Sequence, residues 1–279
     1  MDKIIEIKDV NDYIVAWLKD YATKSKVKGF VIGISSGIDS AVTSTLCAQT
    51  GLPVLCIEMP IHQDITQVTR GKNHIEFLKS KYKNVSSTIV DLTIPFDSIS
   101  LAFANGMPNG GLVEAINFSL GNARARLRMT TLYFYAGMNN MLVAGTGNKV
   151  EDFGVGFFTK YGDGGVDLSP IGDLMKSEVR QLAKYQELLP EIVTAIPTDG
   201  LFADSRTDED QLGATYEELE RAMNFVNDNP EYSIEDLKLL SKREVEVLTI
   251  YKGRHNANKH KMVSIPVCTV GQFRRENGL

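Results

Sequence analysis

Four short apolar runs separated by helical spacing constrain this chain more than any other feature. KGFVIGIS (28–35), PVLCIEMP (53–60), VSSTIVDL (85–92) and NMLVAGTGN (140–148) are apolar or β-branched and short enough for buried strands. Between them the pattern predicts a helix over 39–50 closed by Gly51, and another capped by Asp64 and running to about Lys79. A short helix at 95–104 after Pro95 and a long one at 111–139 follow. Ahead of the first run, Ile4, Ile7, Ile14, Trp17, Leu18 and Tyr21 recur at helical spacing within 3–24. Strand–helix–strand alternation with connections this short predicts an α/β fold, a parallel sheet flanked by helices on both faces. Ligands of such sheets bind beyond the carboxyl ends of the strands. Two of those ends carry unusual chemistry, SSGIDS (35–40) and GTGNKVED (145–152).

Past residue 150 the character changes. FGVGFFTKYGDGGVDLSP (153–170) is glycine-rich, aromatic and too irregular for a strand or helix, and a helix follows at about 173–186. PTDGLFADSRTDEDQL (197–212) is acidic and turn-rich and reads as a mobile loop. Two or three helices then finish the chain, the last being KREVEVLTIYKGRHNANKH (242–260). The reading is one domain over 1–279: an N-terminal helix, an α/β core at about 25–190, the loop, and C-terminal helices.

Composition narrows the function classes. With 43% apolar and 23% charged residues the chain is of soluble globular type. A net charge of −5 argues against a broad basic face for nucleic acid. MDKIIEIKDV lacks a signal peptide's apolar core, and no run is long enough to span a bilayer. Cys47, Cys56 and Cys268 form no CxxC pair, which fits a reducing cytoplasm and no cysteine-based zinc site.

The first strand end is the most informative. Gly33, Ser35, Ser36 and Gly37 can turn tightly and present backbone N–H groups where the next helix points its positive dipole end. Ser35 and Ser40 add hydroxyls. The lysine of a Walker A loop is absent, and the run is not GxGxxG. Asp39 would repel phosphate unless a cation lies between them, which a magnesium ion resolves. An aspartate capping a core helix satisfies the same local sequence.

SSGIDS resembles the S-G-G-x-D-S loop of the N-type ATP pyrophosphatases, with Ser36 where a glycine is expected. If that backbone requires a positive φ, the serine costs stability. GNARARLRM (121–129), GTGNKVED, GFFTKYGDGGVDL (156–168), PTDGL (197–201) and NKHK (258–261) then occur in the order found in ammonia-dependent NAD synthetases. From about residue 10 to 265 the chain resembles that family, most specifically through FFTKYGDGG. The resemblance implies a Rossmann-like sheet of the adenine nucleotide alpha hydrolase-like type. It implies that ATP adenylylates the nicotinate carboxylate of deamido-NAD and that ammonia displaces AMP.

It also implies site residues. ATP would contact Gly33, Ile34, Ser35, Ser36, Gly37, Ile38, Asp39 and Ser40, with Thr146, Lys176 and Thr198. Magnesium would lie on Asp39 and Glu151. Arg128, Lys160, Asp167, His260 and Lys261 would hold the dinucleotide, and Asp163 would orient the amine or the nicotinate ring. Each has a plainer reading: Glu151 a solvated loop acid, Lys176 an exposed helix lysine, Asp163 a turn-former before Gly164–Gly165. Arg124, Arg126 and Arg128 are two apart, so a helix splays them over different faces. Between Glu151 and GFF, the residues DFGV are one more than the family pattern, which leaves the shape of 152–156 open.

At this length the chain has no room for the amidase domain of glutamine-dependent members, so free ammonia is the expected donor. A homodimer through 111–139 is implied, with Phe118, Leu127, Leu132, Tyr133 and Phe134 as candidates, and core packing explains such a stripe equally well. Alternatives are a tRNA-thiolating or GMP-synthetase-type pyrophosphatase, or a non-catalytic nucleotide sensor. The first would want paired cysteines and a basic face. The last would need neither Glu151 nor Lys176.

Overall fold

The computed structural model describes residues 6–107, 112–196 and 207–278. The amphipathic N-terminal segment is helix α1 (Ile7–Lys24), which buries Ile14, Leu18 and Ala22; the predicted residues 3–5 lie outside the described residues. Then come β1 (Phe30–Gly33), α2 (Ile38–Gln49), β2 (Val54–Glu58), α3 (Ile65–Lys81), β3 (Val85–Ile89), α4 (Thr93–Asn105), α5 (Val113–Asn139) and β4 (Leu142–Val143). Among the described residues the sheet is four-stranded and parallel, in the order β3-β2-β1-β4. Phe30 pairs with Val54 on one side and with Leu142 on the other. The chain therefore leaves β1 in one direction and returns on its other side at β4. That reversal opens a crevice at the carboxyl ends of β1 and β4.

The local rules hold where the sequence states them. Asp64 caps α3 by accepting from the Thr66 N–H at 2.7 Å, and Gly51 ends α2 with φ +76°. Helix α4 starts two residues earlier than Pro95 suggests, because the Asp91 carboxylate accepts from the Thr93 N–H at 2.8 Å. Pro95 then falls in the first turn, where its missing N–H is harmless. β4 is much shorter than the run 140–148. Past it Ala144 bridges Leu168 in parallel, so the irregular 153–170 segment contributes an edge pairing.

Two readings need correction. Residues Val150–Val155, expected to be irregular from 153 onward, form a single π-helical turn. A π turn is an α-turn with one extra residue per turn, and all four residues of DFGV lie within it. Of the expected loop 197–212, residues 197–206 lie outside the described residues, while Asp208–Leu212 is helix α8. This follows α6 (Lys176–Tyr185) and the short α7 (Pro190–Val193). Thr207 and Asp210 cap α8 reciprocally, so the acidic run is a helix start.

Helices α9 (Tyr216–Asp228), α10 (Ile234–Lys238), α11 (Lys242–Asn258) and α12 (Gly271–Glu276) complete the chain. One core cluster joins α1, α2 and α6 to the sheet around Leu18, Phe30, Leu46 and Leu182. A second, around Tyr216, Leu219, Val247 and Tyr251, fixes the π turn between α9 and α11. A third packs the opposite sheet face on α4 and α5. Fully burying such a side chain is worth about 1.5–3 kcal/mol.

Candidate active site

A cleft of about 310 Å³ opens at the carboxyl ends of the strands. The 33–39 turn, Met59 and Arg128, the Gly145–Gly147 turn, and Glu151, Asp163 and Lys176 line it. The turn after β1 is held by hydroxyls: Ser40 Oγ accepts from the Ser35 N–H at 3.2 Å and lies 3.0 Å from the Gly37 carbonyl. Ser36 has φ +63°, the left-handed conformation that favours glycine, and is buried. The glycine expectation at this position is therefore about backbone shape, and the serine accepts a cost of about 1–2 kcal/mol.

Asp39 lies in the first turn of α2 but does not cap it. Its Oδ2 takes a hydrogen bond from Lys176 Nζ at 2.6 Å, and its Oδ1 one from Asn148 Nδ2 at 3.2 Å. Glu151 Oε1 lies 2.9 Å from the same Lys176 Nζ and accepts from the Tyr216 hydroxyl at 2.6 Å. Lys176 is 1% exposed, so it is not a solvated helix lysine. Its ammonium also lies 4.6 Å from the Tyr216 ring centroid. Burial disfavours the Lys176 charge, but the two carboxylates outweigh it and raise the pKa above the ordinary lysine value. Burial likewise opposes ionisation of Glu151, yet Lys176 and the Tyr216 hydroxyl bring it below the usual carboxylate range. Asp39 goes the other way: burial and the Glu151 charge outweigh Lys176 and raise it.

Two carboxylates converging on a buried ammonium mark a point where the site requires positive charge. Among the described residues, no group of three or more His, Cys, Asp or Glu side chains could enclose a metal. Asp39 and Glu151 thus supply two oxygen donors. They fit magnesium only with phosphate oxygens and water completing its shell.

The other expected site residues divide. Gly33–Asp39, Thr146, Arg128 and Asp163 line the cleft with Lys176 and Glu151. Ser40 acts from behind the turn. Arg128 donates to the Met59 carbonyl at 3.2 Å and to Gln63 Oε1 at 3.1 Å. The splay of the three arginines is observed: Arg126 reaches the Lys160 carbonyl, and Arg124 lies over the Phe96 ring. Asp163 accepts from the Thr159 N–H at 3.0 Å, so it forms the turn and also faces the cleft.

Lys160, Asp167, His260 and Lys261 are placed outside the cleft lining. Lys160 Nζ donates to the His260 carbonyl at 3.2 Å, and Lys261 Nζ to the Phe158 carbonyl at 2.7 Å. Asp167 accepts from the Tyr133 hydroxyl and the Val143 N–H. Thr198 lies outside the described residues.

Sequence reasoning missed Asn148 and Tyr216. Asn148 is fully buried, donates to Asp39, and through Oδ1 accepts from the N–H groups of Val150 and Glu151. It ties the first strand end to the π turn. The only signal for it was its place in GTGN. Tyr216 reads as an ordinary core aromatic after Thr215.

These features define an α/β protein with a charged, polar cleft at the switch point of its parallel sheet. The family model for NAD synthase matches residues 10–263. An NH(3)-dependent NAD(+) synthetase from Methanosarcina mazei is 33% identical over 270 residues, 94% of this chain and 98% of that protein. One from Carboxydothermus hydrogenoformans is 36% identical over 219 residues, 76% of this chain and 84% of that protein. The structure of NMN synthetase from Francisella tularensis superposes with TM-score 0.79 at 30% identity, covering 95% of this chain and 99% of that one. The chain belongs to the NAD synthase family. The known activity of that family is ATP-dependent amidation of deamido-NAD with ammonia.

Proposed function

We propose that this chain amidates deamido-NAD through an adenylylated nicotinate carboxylate, with Asp39, Glu151 and Lys176 as its charge-handling centre. The buried lysine held between two carboxylates on the wall of a cleft is the observation that carries this reading. A carboxylate is a poor acylating agent because oxide would have to leave. Attack of its oxygen on the α-phosphorus of ATP breaks the bond to pyrophosphate and leaves an acyl-adenylate. Ammonia then attacks the acyl carbon, AMP departs with the electron pair of the C–O bond, and the nitrogen loses a proton.

Two polyanions must meet for this to occur, so the residues act on charge. The 33–40 turn and the start of α2 would cradle pyrophosphate. Asp39 and Glu151 would hold Mg2+, which when bound neutralises phosphate charge. Asn148 and Tyr216 fix the orientation of both carboxylates, and Lys176 supplies a cation that burial keeps from water. Asp163 would orient the amine or the nicotinate ring, and Arg128 the substrate carboxylate. For Lys160, Asp167, His260 and Lys261, a role in dinucleotide binding requires their present contacts to be exchanged for ligand.

A homodimer is part of the proposal. Phe118 and Phe134 on α5 are mostly exposed, as are Ile94 and Leu101 on α4, whereas Leu127 and Leu132 pack into the core. A cytoplasmic location is consistent with two buried free thiols, Cys47 and Cys56. Among the described residues no helix is long and apolar enough to cross a membrane.

The likeness to an NMN synthetase favours a second reading, in which the acceptor is the mononucleotide of nicotinate. Comparing kcat/KM for deamido-NAD and nicotinate mononucleotide, with ATP, Mg2+ and ammonium fixed, tests both. Preference for deamido-NAD supports the first reading, and preference for the mononucleotide supports the second. Turnover of neither overturns the proposal.

A further inference from the structure

Glu58 ends β2 on the opposite side of β1 from the Asp39–Glu151 pair. It lines the cleft, yet it is only 6% exposed. Its carboxylate has no hydrogen-bond or ion-pair partner among the described residues. Burial raises its pKa above the ordinary glutamate value, with Lys72 and Lys79 pulling the other way. A mostly buried carboxylate that lines a ligand cleft with no donor from the protein beside it is placed to accept hydrogen bonds from the ligand.

The space for it is built. A Cβ at Gly71 would come within 2.9 Å of Glu58 Oε1. Gly71 stands inside α3, where glycine costs about 1 kcal/mol relative to alanine. The backbone thus gives up helix stability where the carboxylate needs room.

Position decides what would satisfy it. The polyphosphate cradle follows β1, and the cation point lies toward β4. The end of β2, with Glu58, Met59 and Pro60, lines the same cleft as the 33–39 turn, so the sugar of a nucleoside triphosphate with its phosphates there would come within reach of it. A carboxylate at that strand end, about twenty residues after the phosphate loop, can accept from the vicinal hydroxyls of a ribose.

We propose that Glu58 is a specificity residue that accepts hydrogen bonds from the ribose hydroxyls of the ATP bound in this cleft. The inference rests on the reading of the cleft as an ATP site.

The test is direct binding, which needs no turnover. Affinities of ATP, 2′-deoxy-ATP, 3′-deoxy-ATP and purine riboside triphosphate are measured on the full chain with Mg2+, for wild type, Glu58→Gln and Glu58→Ala. Wild type should bind at least one deoxy-ATP about tenfold or more weakly than ATP, the loss expected for a hydrogen bond to a charged group. Glu58→Ala should bind ATP and that deoxy-ATP alike, and Glu58→Gln, which keeps an acceptor, should fall between. Circular dichroism and the melting temperature establish that the variants are folded.

Equal wild-type affinity for ATP and both deoxy-ATPs overturns the inference, as does discrimination that survives in Glu58→Ala. If Glu58→Ala loses discrimination only against purine riboside triphosphate, the carboxylate reads the adenine amino group and the ribose assignment is wrong. A wild type that binds no ATP overturns the proposed reaction together with this inference. One that binds ATP without ribose discrimination overturns only the inference.

Discussion

Replacing Lys176 with methionine leaves the volume nearly unchanged and removes the ammonium between Asp39 and Glu151. Taking one partner from a buried ionic group costs about 3–5 kcal/mol, because the remaining charges stay buried and unpaired. The two carboxylates are 19% and 16% exposed and can take up a proton, so the lower end, about 3 kcal/mol, is expected. For a chain of 279 residues that corresponds to a fall in Tm of about 5 °C. The loss should depend on pH in a definite sense. In wild type the Lys176 pKa is raised, so its contribution is complete below the unfolded lysine value and fades only as pH rises past the folded one. In Lys176→Met the ammonium that lowers both carboxylates is gone and burial, which raises both, should prevail, so the folded state gains protons as pH falls. The deficit should then be largest near pH 8 and shrink toward pH 5.5. Urea denaturation at both pH values measures it, and millimolar Mg2+ without nucleotide should stabilise the variant more than wild type. A deficit under about 1 kcal/mol at pH 8, or one that does not shrink at pH 5.5, would refute the reasoning.

Other expectations follow from the same structure. Ser36→Gly relieves a left-handed serine worth about 1–2 kcal/mol and adds about 0.5–1 kcal/mol of unfolded-state entropy. It should leave stability level or slightly raised, while the β-branched Ser36→Val lowers it; chemical denaturation showing glycine as the worse residue would contradict the positive φ. His74 is fully buried against Ser44 at 2.8 Å, and burial pushes its pKa down to about 4. The unfolded chain therefore takes the proton first. About 3 kcal/mol of stability should drain away between pH 6.5 and 4, and His74→Gln should flatten that slope in a pH series of denaturation curves.

The parallel core was legible because its signals are local. Strand runs, the Asp64 cap and the Gly51 stop depend on neighbours a few residues away. The extra residue in DFGV was visible as length, but its π-helical shape depends on packing against α9 and α11. The burial of Lys176 was not legible, since a lysine on an amphipathic helix is ordinarily solvated. Only its meeting with Asp39, 137 positions away, makes it a site residue. Tyr216 and Asn148 escaped for the same reason: their roles lie in contacts with Glu151 and Asp39 that no local pattern carries. The positive φ at Ser36 was anticipated only as the condition under which a glycine would matter.

The central claim is that the nicotinate carboxylate attacks the α-phosphorus of ATP. Incubation with ATP, Mg2+, ammonium and deamido-NAD labelled with 18O in both carboxylate oxygens tests it. NAD and AMP should form in equal amounts, each AMP carrying one labelled phosphate oxygen and each amide retaining the other. Asp39→Asn should abolish both products. Unlabelled AMP, or ADP and phosphate in place of AMP and pyrophosphate, would contradict the account.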